Sequence, residues 1–121
     1  MGEPNRFQKL VAAAKEQIRE ISPNDAALEL GGGAATLIDV RAMEDWKSGH
    51  ARGAQHLERG EIEVEIEETI PDLDQPIICY CGGGSRSALV AESLQKMGYR
   101  KVRSMTGGFR AWKAAGLPTQ D

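Results

Sequence analysis

Cys81 is followed by Gly82, Gly83 and Gly84, then Ser85, Arg86 and Ser87, directly after the apolar run Ile77-Ile78-Cys79-Tyr80. The stretch reads as strand, loop and helix, with Cys81 where the strand ends. Three glycines let a backbone take up positive φ and turn successive N–H groups inward, which makes an anion nest. A helix beginning near Ser85 adds its unpaired N–H groups and the positive end of its dipole. Both effects favour the charged form of a thiol, so Cys81 is a candidate low-pKa nucleophile. Arg86 is placed to orient an anionic substrate or to brace the loop. Cys79, on the strand, is expected in the core, where a free cysteine behaves as a small hydrophobic residue.

Cys81, four intervening residues and Arg86 resemble the active-site loop of the rhodanese (thiosulfate sulfurtransferase) family. Ile38-Asp39-Val40-Arg41 through Glu44, Trp46, Gly49-His50, Gly53-Ala54 and Leu57 is similar to the family's first signature, and Gly107-Gly108-Phe109 with Trp112 and Gly116-Leu117-Pro118 to its closing one. The match runs from Ile21 to Pro118. It implies one α/β domain, a parallel sheet with helices on both faces, over residues 19–121. Residues 1–18 form an amphipathic helical extension.

The resemblance also implies a sulfur relay: Cys81 takes the sulfane sulfur of thiosulfate or a related small anionic donor as a persulfide, and a thiophilic acceptor removes it. Cyanide, a cellular thiol or a carrier protein would serve as acceptor, without a cofactor. Catalysis falls to Cys81 and substrate binding to Gly82, Gly83, Gly84, Ser85, Arg86 and Ser87. Behind them stand Asp39, Arg41 and Glu44. Arg41 and Glu44 are expected nearest the loop, positioning Arg86 or the substrate, with a purely structural ion pair as the alternative.

Two rivals share parts of this pattern. Cysteine phosphatases and arsenate reductases also set a thiolate and an arginine around an oxyanion, but resemble Cys-x5-Arg, and here only four residues intervene. Asp72 and Asp74 are the acids that could swing in as a general acid. A non-enzymatic interaction module is the second rival, although such rhodanese-like domains usually lack the cysteine. A persulfide carrier dedicated to one protein lies between enzyme and module.

At 121 residues, 40% hydrophobic and 27% charged, the chain fits one soluble domain, and no apolar run reaches the length of a membrane helix. No secretory leader is evident at the N-terminus, and near-neighbour thiols fit a reducing compartment, so the cytoplasm is the default expectation. Neither histidine has ligand spacing to the cysteines, so no metal site is expected. His50 is a tempting general base, but a thiolate made by the nest needs none, and both His50 and His56 are read as structural. Glu58 to Asp74 holds eight acids against one base, whereas Cys79 to Asp121 holds seven bases against two acids. The basic half could concentrate a small dianion, with a merely solvated surface as the alternative. Interleaved aromatics for nucleic acid are lacking. The oligomeric state is not specified.

Elements follow from spacing. Phe7, Leu10, Val11, Ala14 and Ile18 form one helical stripe. A short strand is expected at Arg19–Ile21, a helix capped by Ser22-Pro23 to about Leu30, and a strand from Thr36 to Val40. A short helix from Met43 to Lys47 turns Trp46 inward, His50–Ala54 is a loop, and Gln55–Leu57 a strand. Glu61 to Glu67 alternates like an exposed strand, yet Ile62, Ile66 and Ile70 also make an i, i+4 stripe; glutamate's preference and the resemblance favour a helix. A helix after Ser85, a strand from Tyr99 to Ser104 and a helix from Phe109 to Ala115 complete a βαβ alternation.

Overall fold

Four consecutive apolar or weakly polar residues with no exposed face suit only an interior strand, and Ile77–Tyr80 is buried at every position. The computed structural model, which describes residues 2–121, places this strand at the centre of a five-stranded sheet. In chain order the strands are Arg19–Ile21 (β1), Thr36–Asp39 (β2), His50–Ala51 (β3), Gln55–His56 (β4), Ile77–Tyr80 (β5), Val102–Met105 (β6) and Thr119–Gln120 (β7). The main sheet runs β1-β6-β5-β2-β4, and each neighbouring pair is parallel.

Alternation along β5 divides the core in two. Ile77 and Cys79 join Ile62, Ile66, Val90 and Leu94, which come from the helices Ile62–Thr69 (α4) and Ser85–Lys96 (α5). Ile78 and Tyr80 join Ala26, Phe109 and Trp112, from Pro23–Gly31 (α2) and Gly108–Ala114 (α6). The parallel sheet is therefore covered on both faces, as the βαβ alternation requires.

The N-terminal helix Arg6–Gln17 (α1) starts from a capping box in which Asn5 and Gln8 each bond the other's backbone N–H at 2.8 Å. It lies along α5, burying Val11 and Ala14, and the Gln95 amide donates to the Gln17 carbonyl at 2.8 Å. Phe7 and Leu10 stay 43% and 55% exposed. Ser22 caps α2 by accepting from the Asp25 N–H at 3.1 Å, with Pro23 at the first helical position.

Three local expectations change. The segment read as a loop from His50 begins as β3, which pairs antiparallel with β7. Tyr99 is not in a strand: it sits in the turn before β6 and its hydroxyl donates to the Ile70 carbonyl at 2.6 Å. Trp46, in Met43–Lys47 (α3), is only half-buried and stacks on His50 with ring centroids 3.4 Å apart.

The ambiguous Glu61–Glu67 run is helical, so Ile62 and Ile66 are buried while Val64 is 79% exposed. In a strand all three would share a face. Urea denaturation should therefore separate them: Val64→Lys stays within about 0.5 kcal/mol of the parent, whereas Ile66→Lys, which buries an unpaired charge, costs more than about 4 kcal/mol or prevents folding. Equal losses at the two positions would contradict the helix.

Candidate active site

Cys81 is the first residue past β5, and Gly84 is the N-cap of α5. Among Gly82, Gly83 and Gly84 only Gly84 takes a positive φ, of 98°, so the nest needs one left-handed residue and not three. A Cβ at Gly84 would also lie 3.1 Å from the Gly107 nitrogen. The turn it makes brings the N–H of Gly84 to 3.1 Å and that of Ser87 to 3.4 Å from the Cys81 Sγ. Ser87 Oγ stands 3.5 Å from the same sulfur and 2.8 Å from Ser104 Oγ. When the sulfur is a thiolate, Ser87 donates to it and Ser104 donates to Ser87.

Cys81 is only 2% exposed, and that burial by itself pushes its thiol up. The Ser87 hydroxyl and the N–H groups of Ser87, Gly84 and Gly83 outweigh it and hold the thiol below its ordinary value. Cys79 has no such donors. Its sulfur faces the carbonyls of Ser87 and Arg103 at 3.5 Å, which accept from a thiol and repel a thiolate. Burial first, and then the neighbouring Cys81 charge, push it up to about 12. Two cysteines on one side of one strand thus differ through what surrounds their sulfurs.

The loop's outer edge rests on α6. The N–H of Phe109 donates to the Cys81 carbonyl at 2.8 Å and that of Arg110 to the Gly82 carbonyl at 3.2 Å. Gly107 and Gly108 both have positive φ, and a Cβ at Gly108 would run into the Cys81 carbonyl oxygen. With its carbonyls tied to α6, the loop turns its N–H groups toward the sulfur.

Asp39 and Arg41 form a buried pair behind this wall. Arg41 Nη2 donates to Asp39 Oδ2 at 2.8 Å and to the Gly49 carbonyl at 2.7 Å, while its own N–H donates to Asp39 Oδ1 at 2.8 Å. Its guanidinium lies 4.3 Å from the centre of the Phe109 ring. Burial works against the Arg41 charge, but the bonds to Asp39 and the carboxylate's charge more than compensate, leaving the guanidinium raised. Tyr80 is raised too, chiefly by burial and then by Asp39. Glu44 is exposed on α3, and its neighbour Asp45 is the acid that reaches the cleft.

That cleft, of about 220 Å³, opens beside Gly82. Arg41 and Phe109 line its floor side, and Arg86, Arg110, Lys113 and Asp45 its mouth. Arg86 is exposed at the start of α5. A larger cleft, of about 330 Å³, lies at the opposite end of the sheet against Arg19, Glu29 and Arg103, away from the Cys81 loop that the smaller one adjoins through Gly82. His50 Nδ1 bonds the Trp46 carbonyl at 3.1 Å and His56 Nε2 the Arg41 carbonyl at 2.6 Å, so both rings hold backbone. Among the described residues no cluster of acids, histidines and cysteines could hold a metal.

A sequence model of the rhodanese-like domain matches residues 22–115. The chain belongs to this family. Its fold is shared by a polysulfide-sulfur transferase homodimer from Wolinella succinogenes, 31% identical over 95% of this chain and 87% of that one, with a TM-score of 0.81. A thiosulfate sulfurtransferase from Pseudomonas aeruginosa is 26% identical over 86% of this chain, which spans 19% of that enzyme, with a TM-score of 0.77. A Rhodopseudomonas palustris protein of unknown function, described as a possible tyrosine phosphatase, is 29% identical over 99% of both chains, with a TM-score of 0.87.

Sequence reading of this rhodanese-like domain did not single out Ser104, Asp45, Arg110 or Lys113 for the site. Ser104 had a signal, being a small hydroxyl two residues after Val102 on the same face of a short strand. Arg110 and Lys113 are three apart on the helix that follows the closing glycines, hence on one face.

Removing the Ser87 hydroxyl takes a charge-assisted donor from the thiolate and only a weak S–H acceptor from the neutral thiol, so Ser87→Ala moves the Cys81 pKa upward. The midpoint of the pH profile for iodoacetamide alkylation of Cys81 should rise accordingly, and Ser104→Ala should move it less in the same direction. A midpoint that falls, or does not move in Ser87→Ala, would mean the hydroxyl does not face the charged sulfur.

Proposed function

We propose that the protein is a sulfurtransferase that carries a sulfane sulfur as a Cys81 persulfide. The observation that carries the reading is a buried sulfur receiving the Gly84 and Ser87 N–H groups, on a loop of four residues ending in Arg86. In the first half-reaction the thiolate attacks the outer sulfur of a donor such as thiosulfate. The new S–S bond forms as the donor's S–S bond breaks, sulfite leaves with the electron pair, and the persulfide keeps the single negative charge. A nucleophilic acceptor, such as a small thiol, cyanide or a carrier protein, then takes the outer sulfur and returns the thiolate.

Donors of N–H bonds fixed before reaction stabilise such a charge without reorganisation. Ser85 and Arg86 open α5, so their N–H groups have no intrahelical acceptor and suit the second sulfur. The names of the Pseudomonas and Wolinella neighbours support thiosulfate and polysulfide as donor classes. Both cysteines are free, in keeping with a reducing, cytoplasmic setting.

The phosphatase reading draws on the Rhodopseudomonas neighbour's description and on the thiolate–arginine pair. Loop length argues against it. A ring of N–H groups one residue shorter is too narrow for a phosphoryl group in line with the sulfur. A dedicated carrier would share the persulfide and differ only in its acceptor.

Intact mass after incubation with thiosulfate should show one added sulfur, absent from Cys81→Ser and present in Cys79→Ser. Thiosulfate:cyanide turnover should vanish in Cys81→Ser and largely persist in Cys79→Ser, with aryl phosphate left unhydrolysed by the parent. Arg86→Ala should lower kcat/KM about 10- to 100-fold, the size of one charge-assisted hydrogen bond. Phosphate-ester hydrolysis without sulfur loading would reverse the assignment.

A further inference from the structure

Arg110 lies against the glycine loop: a Cβ at Gly83 would lie 3.4 Å from its Nη1 and 3.7 Å from its Cζ, and one at Gly82 would lie 4.0 Å from its Nη2, all ordinary contact distances. The guanidinium is laid across the bare backbone of the loop, within the cleft beside Gly82. Its main chain is anchored by the bond to the Gly82 carbonyl, so the side chain starts from the edge of the nest.

This charge is uncommitted. Among the described residues the ion pairs are Lys15–Glu20, Asp39–Arg41, Asp74–Arg100 and Glu29–Arg103, which leaves Arg86, Arg110 and Lys113 facing one cleft with Asp45 as the opposing acid. Lys113 Nζ lies 5.0 Å from the centre of the Phe109 ring, on the α6 side where Arg110 also stands. Arg86 approaches from α5, so an anion entering the cleft meets cations from two helices.

We propose that Arg110, assisted by Lys113, anchors the leaving part of the donor, and that it selects donors whose leaving group is a dianion. The proposal rests on the sulfurtransferase reading and names the donor class for it. A planar guanidinium can hold two oxygens of a sulfonate-like group at once, while the outer sulfur of the donor points to Cys81. As the donor's S–S bond breaks, charge grows on the departing sulfite, and a cation there helps the step. A thiosulfonate monoanion, whose leaving sulfinate carries one charge and one fewer oxygen, gains less from it.

The test compares thiosulfate with an aryl thiosulfonate in the parent, Arg110→Gln and Arg110→Lys. Arg110→Gln should lower kcat/KM for thiosulfate about tenfold or more and for the thiosulfonate about threefold or less, with kcat for sulfur loading falling as well as KM rising. Arg110→Lys should recover part of the preference. A common loss on both donors, or none, would overturn the proposal. A second measurement does not depend on sulfur transfer: the rate of Cys81 alkylation by iodoacetate relative to iodoacetamide, at a pH where the thiol is ionised in both proteins. That ratio should fall several-fold in Arg110→Gln. If neither donor transfers sulfur in the parent yet the ratio falls, the sulfurtransferase reading fails and the anion anchor stands; an unchanged ratio removes the anchor.

Discussion

Two backbone hydrogen bonds, from Phe109 to the Cys81 carbonyl and from Arg110 to the Gly82 carbonyl, hold the rest of the site in register. A peptide unit has its N–H and C=O on opposite sides, so fixing the Cys81 and Gly82 carbonyls outward commits the N–H groups of Gly82 and Gly83 inward. Those bonds exist because α6 can approach the loop at backbone distance, and only a residue without Cβ permits that at Gly108. The closing glycines, read in sequence as part of a family signature, thus act on the nucleophile's own loop. Sheet order makes the approach possible: β5 and β6 are parallel neighbours, so α5 and α6 begin side by side at one edge.

Parallel neighbours also explain the hydroxyl relay. Cys79 pairs with Ser104 across β5 and β6, which puts Ser104 beneath the start of α5, where Ser87 turns inward. A buried hydroxyl without a partner is destabilising, and each serine gives the other one. The arrangement leaves one donor of the Ser87–Ser104 pair directed at the sulfur. Cys79, one pleat back, faces the carbonyl oxygens of Ser87 and Arg103 and lacks the Ser87 hydroxyl and the loop N–H groups. Reactivity is therefore assigned by register, since both side chains face the same core.

The strand-loop-helix around Cys81 was legible because its signals are local: an apolar run, glycines and a renewed helical stripe lie side by side in the chain. The same holds for the Ser22-Pro23 cap and for the helical reading of Ile62 and Ile66. What was not legible depends on contacts between distant segments. β3 forms only because Thr119 and Gln120 return beside His50 and Ala51, and two residues carry no pattern of their own. Glu44 and Asp45 are adjacent in sequence, and which of them faces the cleft is set by how the short α3 is seated. The strongly basic second half overstated the field at the site: Arg100 and Arg103 are paired with Asp74 and Glu29 elsewhere, and only Arg86, Arg110 and Lys113 converge there.

This distribution of charge separates two tasks that a single arginine could not perform. A cation buried behind the loop must be paired, because desolvation without a partner is strongly unfavourable. Arg41 meets that condition through Asp39, and in doing so becomes a rigid strut between Gly49 and the Phe109 ring, with little net charge left for an incoming ligand. Arg86 stays exposed, and it, Arg110 and Lys113 lie outside any recorded ion pair among the described residues. An anion that displaces water from the cleft lowers the local dielectric and strengthens its attraction to these cations as it seats. The fixed pair keeps the shape of the wall, and the free cations supply the field. Exchanging the two roles would leave an unpaired charge in the core and a neutralised mouth, so the position of Asp39 beneath the wall follows from this electrostatic requirement.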